Sequence, residues 1–352
     1  MLRSKCWVLQ NHNFRPCRHP GREFKTAAVL HSHSSFSEEN LGILNEIMDS
    51  AALRKLNEFF KRTFSTEPME SLDWSRFHYC SPISPGDVLE VELAASEKLG
   101  FEHTLLAVTD HDTIDGCLQL RLMRPDLADR VAISEELSFA FADQVFHLGI
   151  IGIPVDRARE HHSRLQALAA RRQLGDMFET LQGLGCLVIL NHPYYQQSRV
   201  QSHEELLVQL LQSYGWGIDA LEFNGLRSHA ENIRTMELAE WAGKPVVGGG
   251  DRHSTFASLV ISASREATGY DEFIEEVKAG RSTVVCKPDY FLPLCWKIFV
   301  RVLQGVRAYR QITFYNRVPI SQHLVDGWIY PDYFAGAAHF LSRIIERLGL
   351  AR

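Results

Sequence analysis

Short apolar runs alternate along much of this chain with longer segments of helical spacing. Ala27–Leu30 is a run of buried-strand type that ends at His31. Ser84-Pro85-Gly86 predicts a helix start, because serine caps the free N–H groups and proline suits the first helical position. The helix over Val88–Leu99 then stops at Gly100. The strand Leu105–Val108 follows and runs into Thr109-Asp110-His111-Asp112. The same order recurs further on. A helix over Leu165–Leu184 stops at Gly185, and the strand Cys186–Leu190 leads into Asn191-His192-Pro193. The strand Ala220–Phe223 precedes a helix over Glu231–Trp241, which stops at Gly243. Val246–Val247 then enters Gly248-Gly249-Gly250-Asp251-Arg252-His253. Such alternation predicts parallel βα units. The polar residues stand directly after the strands, at the rim where α/β barrels carry their active sites.

Two stretches break this rhythm. Between about residues 41 and 80, Ile43, Ile47, Leu53, Leu56, Phe59 and Phe60 fall at helical spacing, and Thr63–Ser75 is polar. This predicts a helical insertion followed by a loop. Beyond Pro288, Phe291–Gln304 reads as an aromatic-rich helix, and residues 290–352 hold eight Lys or Arg against three acids. A C-terminal helical extension docked on the main fold is the favoured reading. Peripheral membrane or anionic-partner contact by residues 290–310 is the minority one. The expected organisation is an N-terminal tail over 1–24, a catalytic unit over 25–288 and an extension over 289–352.

Composition narrows the function classes. The chain has 352 residues, enough for one large α/β core, and a net charge of −6 that disfavours a protein coating long nucleic acid. Seven scattered cysteines form no CxxC pair, so reduced thiols and a cytoplasmic setting are expected. No stretch is apolar enough to span a bilayer. Met1–Glu23 carries Arg3, Lys5, Arg15 and Arg18 without a continuous apolar run, so a secretory signal is not expected there.

Histidines beside carboxylates carry the chemistry. In an extended segment, His31 and His33 point to the same side, so two imidazoles can meet one borderline metal. Asp110-His111-Asp112 places a histidine between two acids, which turn chemistry alone does not explain. His192 and the Asp251-Arg252-His253 cluster end two further strands. Glu135, Glu136 and His147 lie on neighbouring apolar segments, where a histidine alone would be an ordinary core residue.

The order of HxH, TDHD, glutamate before Leu-Ser, a following histidine, His-Pro and D-x-H resembles the PHP (polymerase and histidinol phosphatase) superfamily. The resemblance spans roughly Thr26–Pro288. It implies a distorted (β/α)7 TIM-like barrel holding two or three divalent ions (Zn, Mn or Fe). It implies that His31, His33 and Asp251 serve a first metal, that Glu136 bridges, and that His147 and His192 serve a second. His111 and His253 match third-metal ligands, and Glu38 stands where relatives place an acid after HxH. The insertion, placed just after HxH, is expected to form a lid or wall that restricts the substrate.

The expected activity is hydrolysis of a phosphoester by a metal-activated hydroxide. The substrate would be a small phosphomonoester, a nucleotide or an oligonucleotide end. Asp112 or His253 would assist the leaving group, and Arg252 heads the phosphate-binding arginines, ahead of Arg171, Arg172, Arg199 and Arg227. The alternatives are an amidohydrolase-type metallohydrolase, commonly built on a bridging lysine rather than a glutamate, and a silent metal-binding regulatory module.

Overall fold

A computed structural model describes residues 5–10, 13–40, 78–81, 83–195, 203–294 and 296–297. Most of the 41–80 insertion, Arg199 and the extension beyond 297 lie outside the described residues. The fold is mixed α/β.

Local signals set most elements. Strand β1 (Cys6–Gln10) and β2 (Asn13–Cys17) form a hairpin ahead of β3 (Thr26–Val29). Short β4 (Glu38–Asn40) and β5 (His78–Cys80) pair antiparallel, so the insertion leaves and returns at one place. Ser84 caps α1 (Pro85–Lys98) by accepting from the Asp87 N–H. Next come β6 (His103–Ala107), α2 (Asp115–Met123), β7 (Val131–Ala132), β8 (Ser134–Phe141) and β9 (Gln144–Ile151).

The helix expected over Leu165–Leu184 is two, α3 (Ala158–Ala170) and α4 (Leu174–Leu184). They meet at Arg172, whose φ of 57° turns the chain. The bend lets two separate apolar stripes, Leu165 with Ala169 and Leu174 with Met177, Phe178 and Leu181, each reach the core. Then follow β10 (Leu187–Asn191), α5 (His203–Tyr214), β11 (Ala220–Asn224) and α6 (His229–Ala242). Ser228 and Glu231 form a reciprocal capping box on α6, and Gly243 ends it at φ 64°. Strands β12 (Val246–Gly249) and β13 (Val260–Ser264), helix α7 (Tyr270–Lys278) and β14 (Thr283–Cys286) complete the series.

The strands form two main sheets, ordered β2-β1-β14-β13-β3-β6-β7 and β12-β11-β10-β9-β8. Pairs β3–β6, β6–β7, β10–β11 and β11–β12 are parallel, as the βα pattern predicts. β8 and β9 are not, because Phe141 pairs with Gln144 across a two-residue turn too short for a crossover. Among the described residues the ladders make two main sheets. Isolated parallel bridges, Ser32 to Arg252 and His111 to Glu136, join the sheets at the ends that carry the polar residues. Among the described residues, no helix is long and apolar enough to cross a membrane. Cys6, Cys17, Cys117, Cys186 and Cys286 are buried free thiols.

Candidate metal centre

Successive residues of a strand face opposite ways. On β8, Glu135 therefore turns towards α3, where its carboxylate meets His162 Nδ1 at 2.9 Å and Gln166 Nε2 at 3.1 Å. Glu136 turns inward and is fully buried. Its two oxygens have separate neighbours. Oε2 lies 3.0 Å from His31 Nε2, 3.2 Å from His33 Nε2 and 3.5 Å from His111 Nε2. Oε1 lies 3.0 Å from His192 Nε2 and 3.3 Å from His147 Nδ1, and accepts from Asn191 Nδ2 at 2.9 Å.

The group around His31 and His33 closes on Asp251. Its Oδ1 is 3.8 Å from His31 Nε2, 3.7 Å from His33 Nε2 and 2.7 Å from His253 Nε2. His253 also stacks on His33, with ring centroids 4.1 Å apart. The fit to divalent ions follows from proton bookkeeping. His31 Nδ1 lies 2.6 Å from Glu222, which accepts its proton, so the second ring proton is the one a metal would displace to free an inward lone pair on Nε2. That atom lies 3.0 Å from His33 Nε2 and the same distance from a carboxylate oxygen. Electron-rich atoms this close require a cation or shared protons between them. Among the described residues, three donor groups could each hold an ion: His31-Glu136-His192, His31-His33-Asp251 and His33-His111-Glu136. Imidazole with carboxylate suits Zn, Mn or Fe.

Electrostatics agree. Burial opposes charge on His31, but Glu136, Glu222 and Asp251 outweigh it and push His31 well above the usual histidine range. Burial would raise Glu136, yet His31, His111 and His147 hold it well below the carboxylate range. Asp251 is likewise depressed against burial by His31 and His253. Burial lowers His147, which keeps it neutral and fit to ligate. Three residues here have left-handed backbones: Asp112 (φ 53°), His192 (φ 28°) and Asp251 (φ 47°). Non-glycine residues adopt this region at a cost, so the fold holds these strand ends in strained turns.

His31, His33, His111, Glu136, His147, His192, Asp251 and His253 thus come together. Glu38 is exposed on β4 opposite Cys80. Asp112 points outward, accepting from Ser138 N at 2.8 Å, while its own N–H donates to Glu136 O at 2.9 Å. Its role is to tie the two strand ends, and its carboxylate is not directed at the cluster. Arg252 is fully buried, with Nε donating to Phe256 O and lying 3.6 Å from Glu92. Its carbonyl, not its guanidinium, serves the centre by accepting from His33 N at 2.9 Å. Arg171 and Arg172 are exposed at the α3–α4 bend. Arg227 does reach the centre, lying 4.0 Å from Asp251 Oδ2 with its guanidinium 4.2 Å from the Tyr195 ring centroid.

Sequence reasoning missed the layer behind the ligands. Glu222 orients His31 and accepts from His192 N at 2.8 Å and Asn224 Nδ2 at 2.9 Å. Asn224 also donates to Asp251 at 3.2 Å. Ser37 Oγ meets His33 Nδ1 at 3.0 Å, and Asp110 accepts from Ser34 N and Oγ. The available signal was a glutamate and an asparagine inside the apolar strand Ala-Leu-Glu-Phe-Asn of β11. Gly249 is part of the same design, since a Cβ there would sit 1.7 Å from Glu222 Oε1.

No protein-family profile and no curated protein matches the sequence. Solved structures do. A candidate metal-dependent phosphoesterase from Bifidobacterium adolescentis aligns over 56% of this chain and 91% of its own, at 14% identity and TM-score 0.37. An amidohydrolase from Chromobacterium violaceum, with bound sulfate and no metal, aligns over 59% and 94%, at 14% identity and TM-score 0.39. A two-domain protein from Bacteroides vulgatus, containing a predicted PHP-like metal-dependent phosphoesterase, aligns over 77% and 69%, at 12% identity and TM-score 0.43. The solved structures that this chain is similar to thus include a candidate metal-dependent phosphoesterase and a protein containing a predicted PHP-like one.

Proposed function

We propose that the chain is a metal-dependent phosphoesterase acting on a small phosphomonoester, a nucleotide or an oligonucleotide end. The observation that carries this reading is the division of labour on Glu136. One carboxylate oxygen faces His31, His33 and His111, and the other faces His147 and His192. A single carboxylate with a histidine set on each oxygen suits two adjacent divalent ions. Such ions, when bound, supply Lewis-acid activation of water and neutralise charge on phosphoryl oxygens. The strand ends are then the rim of a barrel-like arrangement, with the two sheets as its walls.

The chain's own residues do the rest. His31, His33 and Asp251 would hold one ion, and His147 and His192 the other, with Glu136 between them. Glu222 keeps His31 in the ligating tautomer. His111 and His253 are the more exposed histidines of the cluster, at 15% and 21% side-chain exposure. They are the groups placed to meet a substrate or to hold a third ion, and His253 can hand a proton to a departing oxygen. Arg227, set against Asp251 and Tyr195, supplies the guanidinium for phosphate in place of Arg252. A glutamate in the bridging position favours this reading over the amidohydrolase type.

Elemental analysis of the purified chain, followed by a metal-supplemented screen of phosphoesters and amides, tests the proposal. Bound Zn, Mn or Fe with turnover of a phosphoester is the expected result. Filled metal sites with no phosphoester turned over would overturn it.

A further inference from the structure

Lys297 stands in the C-terminal segment, outside the βα units that supply the ligands. Its side chain is buried, only 3% exposed. That is unusual for an ammonium, which is strongly hydrated and costly to desolvate unless partners replace the water. Its partners include backbone carbonyls of one loop. Nζ donates to Gly225 O at 3.0 Å and to Arg227 O at 2.7 Å, and lies 4.6 Å from the Tyr290 ring centroid.

That loop carries the groups that hold Asp251. Asn224, at its start, donates to Glu222 and Asp251. Gly225 N donates to Gly249 O at 2.8 Å, tying the loop to the strand end before Asp251. Arg227 places its guanidinium against Asp251 and Tyr195. The geometry points to Lys297 as a positioning residue: it fixes the Gly225 and Arg227 carbonyls so that Asn224 and Arg227 keep Asp251 turned towards His31 and His33. The C-terminal segment is thereby part of the metal centre's support. This inference rests on the metal-centre reading above.

The test uses the full chain with Lys297→Met and Lys297→Arg, and Co(II) as the probe. Hydrogen exchange is followed at residues 224–227 and, for comparison, along α1. Co(II) affinity and the visible Co(II) spectrum report ligand geometry. Lys297→Met should speed exchange of the loop about tenfold with α1 unchanged. It should also weaken Co(II) binding by about tenfold and shift the spectrum. Lys297→Arg should recover part of both, and it decides alone if Lys297→Met does not fold, by falling short of the wild type in both readouts. Unchanged loop exchange overturns the inference. So does faster exchange with wild-type Co(II) affinity and spectrum, which would mark a merely structural lysine. A wild-type chain that takes up no Co(II) sinks the functional reading instead, and loop exchange then judges the clamp by itself.

Discussion

Glu222→Gln changes one buried charge without changing shape, and the structure fixes what must follow. Glu222 makes three hydrogen bonds: from His31 Nδ1 at 2.6 Å, His192 N at 2.8 Å and Asn224 Nδ2 at 2.9 Å. The asparagine donor is assigned by its surroundings, because Asn224 Oδ1 already accepts from Leu226 N. A glutamine can keep its oxygen towards His31, but its NH2 then faces two donors and both bonds are lost. Turned over, the amide donates to His31 Nδ1, and the imidazole proton must move to Nε2. That is the atom 3.0 Å from Glu136 and His33, so the ligand lone pair disappears. Either outcome removes what orients a metal-binding histidine. Losses of this kind cost about 10–100-fold in metal affinity. That corresponds to about 1.4–2.8 kcal/mol, in the range of one hydrogen bond to a charged group, about 1.5–3 kcal/mol. The assay is chelator competition with Zn and Mn, with the melting temperature of the metal-free chain as a check on folding. A folded Glu222→Gln protein with affinity within about twofold of wild type would refute the reasoning.

Other outcomes follow from the same geometry. His192→Ala should lose one of the bound metals and most turnover while circular dichroism stays that of the wild type; full activity would show the ligand assignment wrong. Gly249→Ala should displace the Glu222 carboxylate, since the new Cβ would sit 1.7 Å from Oε1, and should weaken metal binding at least as much as Glu222→Gln does. In the metal-free chain the raised His31 keeps its proton near neutral pH. Its charge stabilises that state below the ordinary histidine pKa of about 6.5, and the contribution fades as pH rises through the raised value. Metal must displace that proton, so affinity should climb with pH and binding should release protons. Calorimetry in buffers of different ionisation enthalpy reads this directly, and a pH-independent affinity would contradict it. Arg227→Ala, assayed at saturating metal because the same guanidinium also lies against Asp251, should weaken inorganic phosphate binding about tenfold or more.

Local rules account for what the sequence by itself determined. Ser84 with Pro85, Gly185 and Gly243 act on neighbours within a turn, so the helix ends they set were legible. So was the placing of His31, His33, His111, His192, Asp251 and His253 after strands, because strand and motif are contiguous. Tertiary structure decided the rest, because it concerns contacts between residues distant in the chain. It made β8 and β9 an antiparallel pair among the described residues, where the βα pattern alone suggested parallel units. It turned Arg252 towards Glu92, 160 positions earlier, and brought Arg227 to Asp251 instead. It set Glu222 behind His31 at a separation of 191 residues, and Lys297 beneath a loop some 70 residues earlier. A buried charge survives only where partners converge on it in space, and no spacing along the chain announces them.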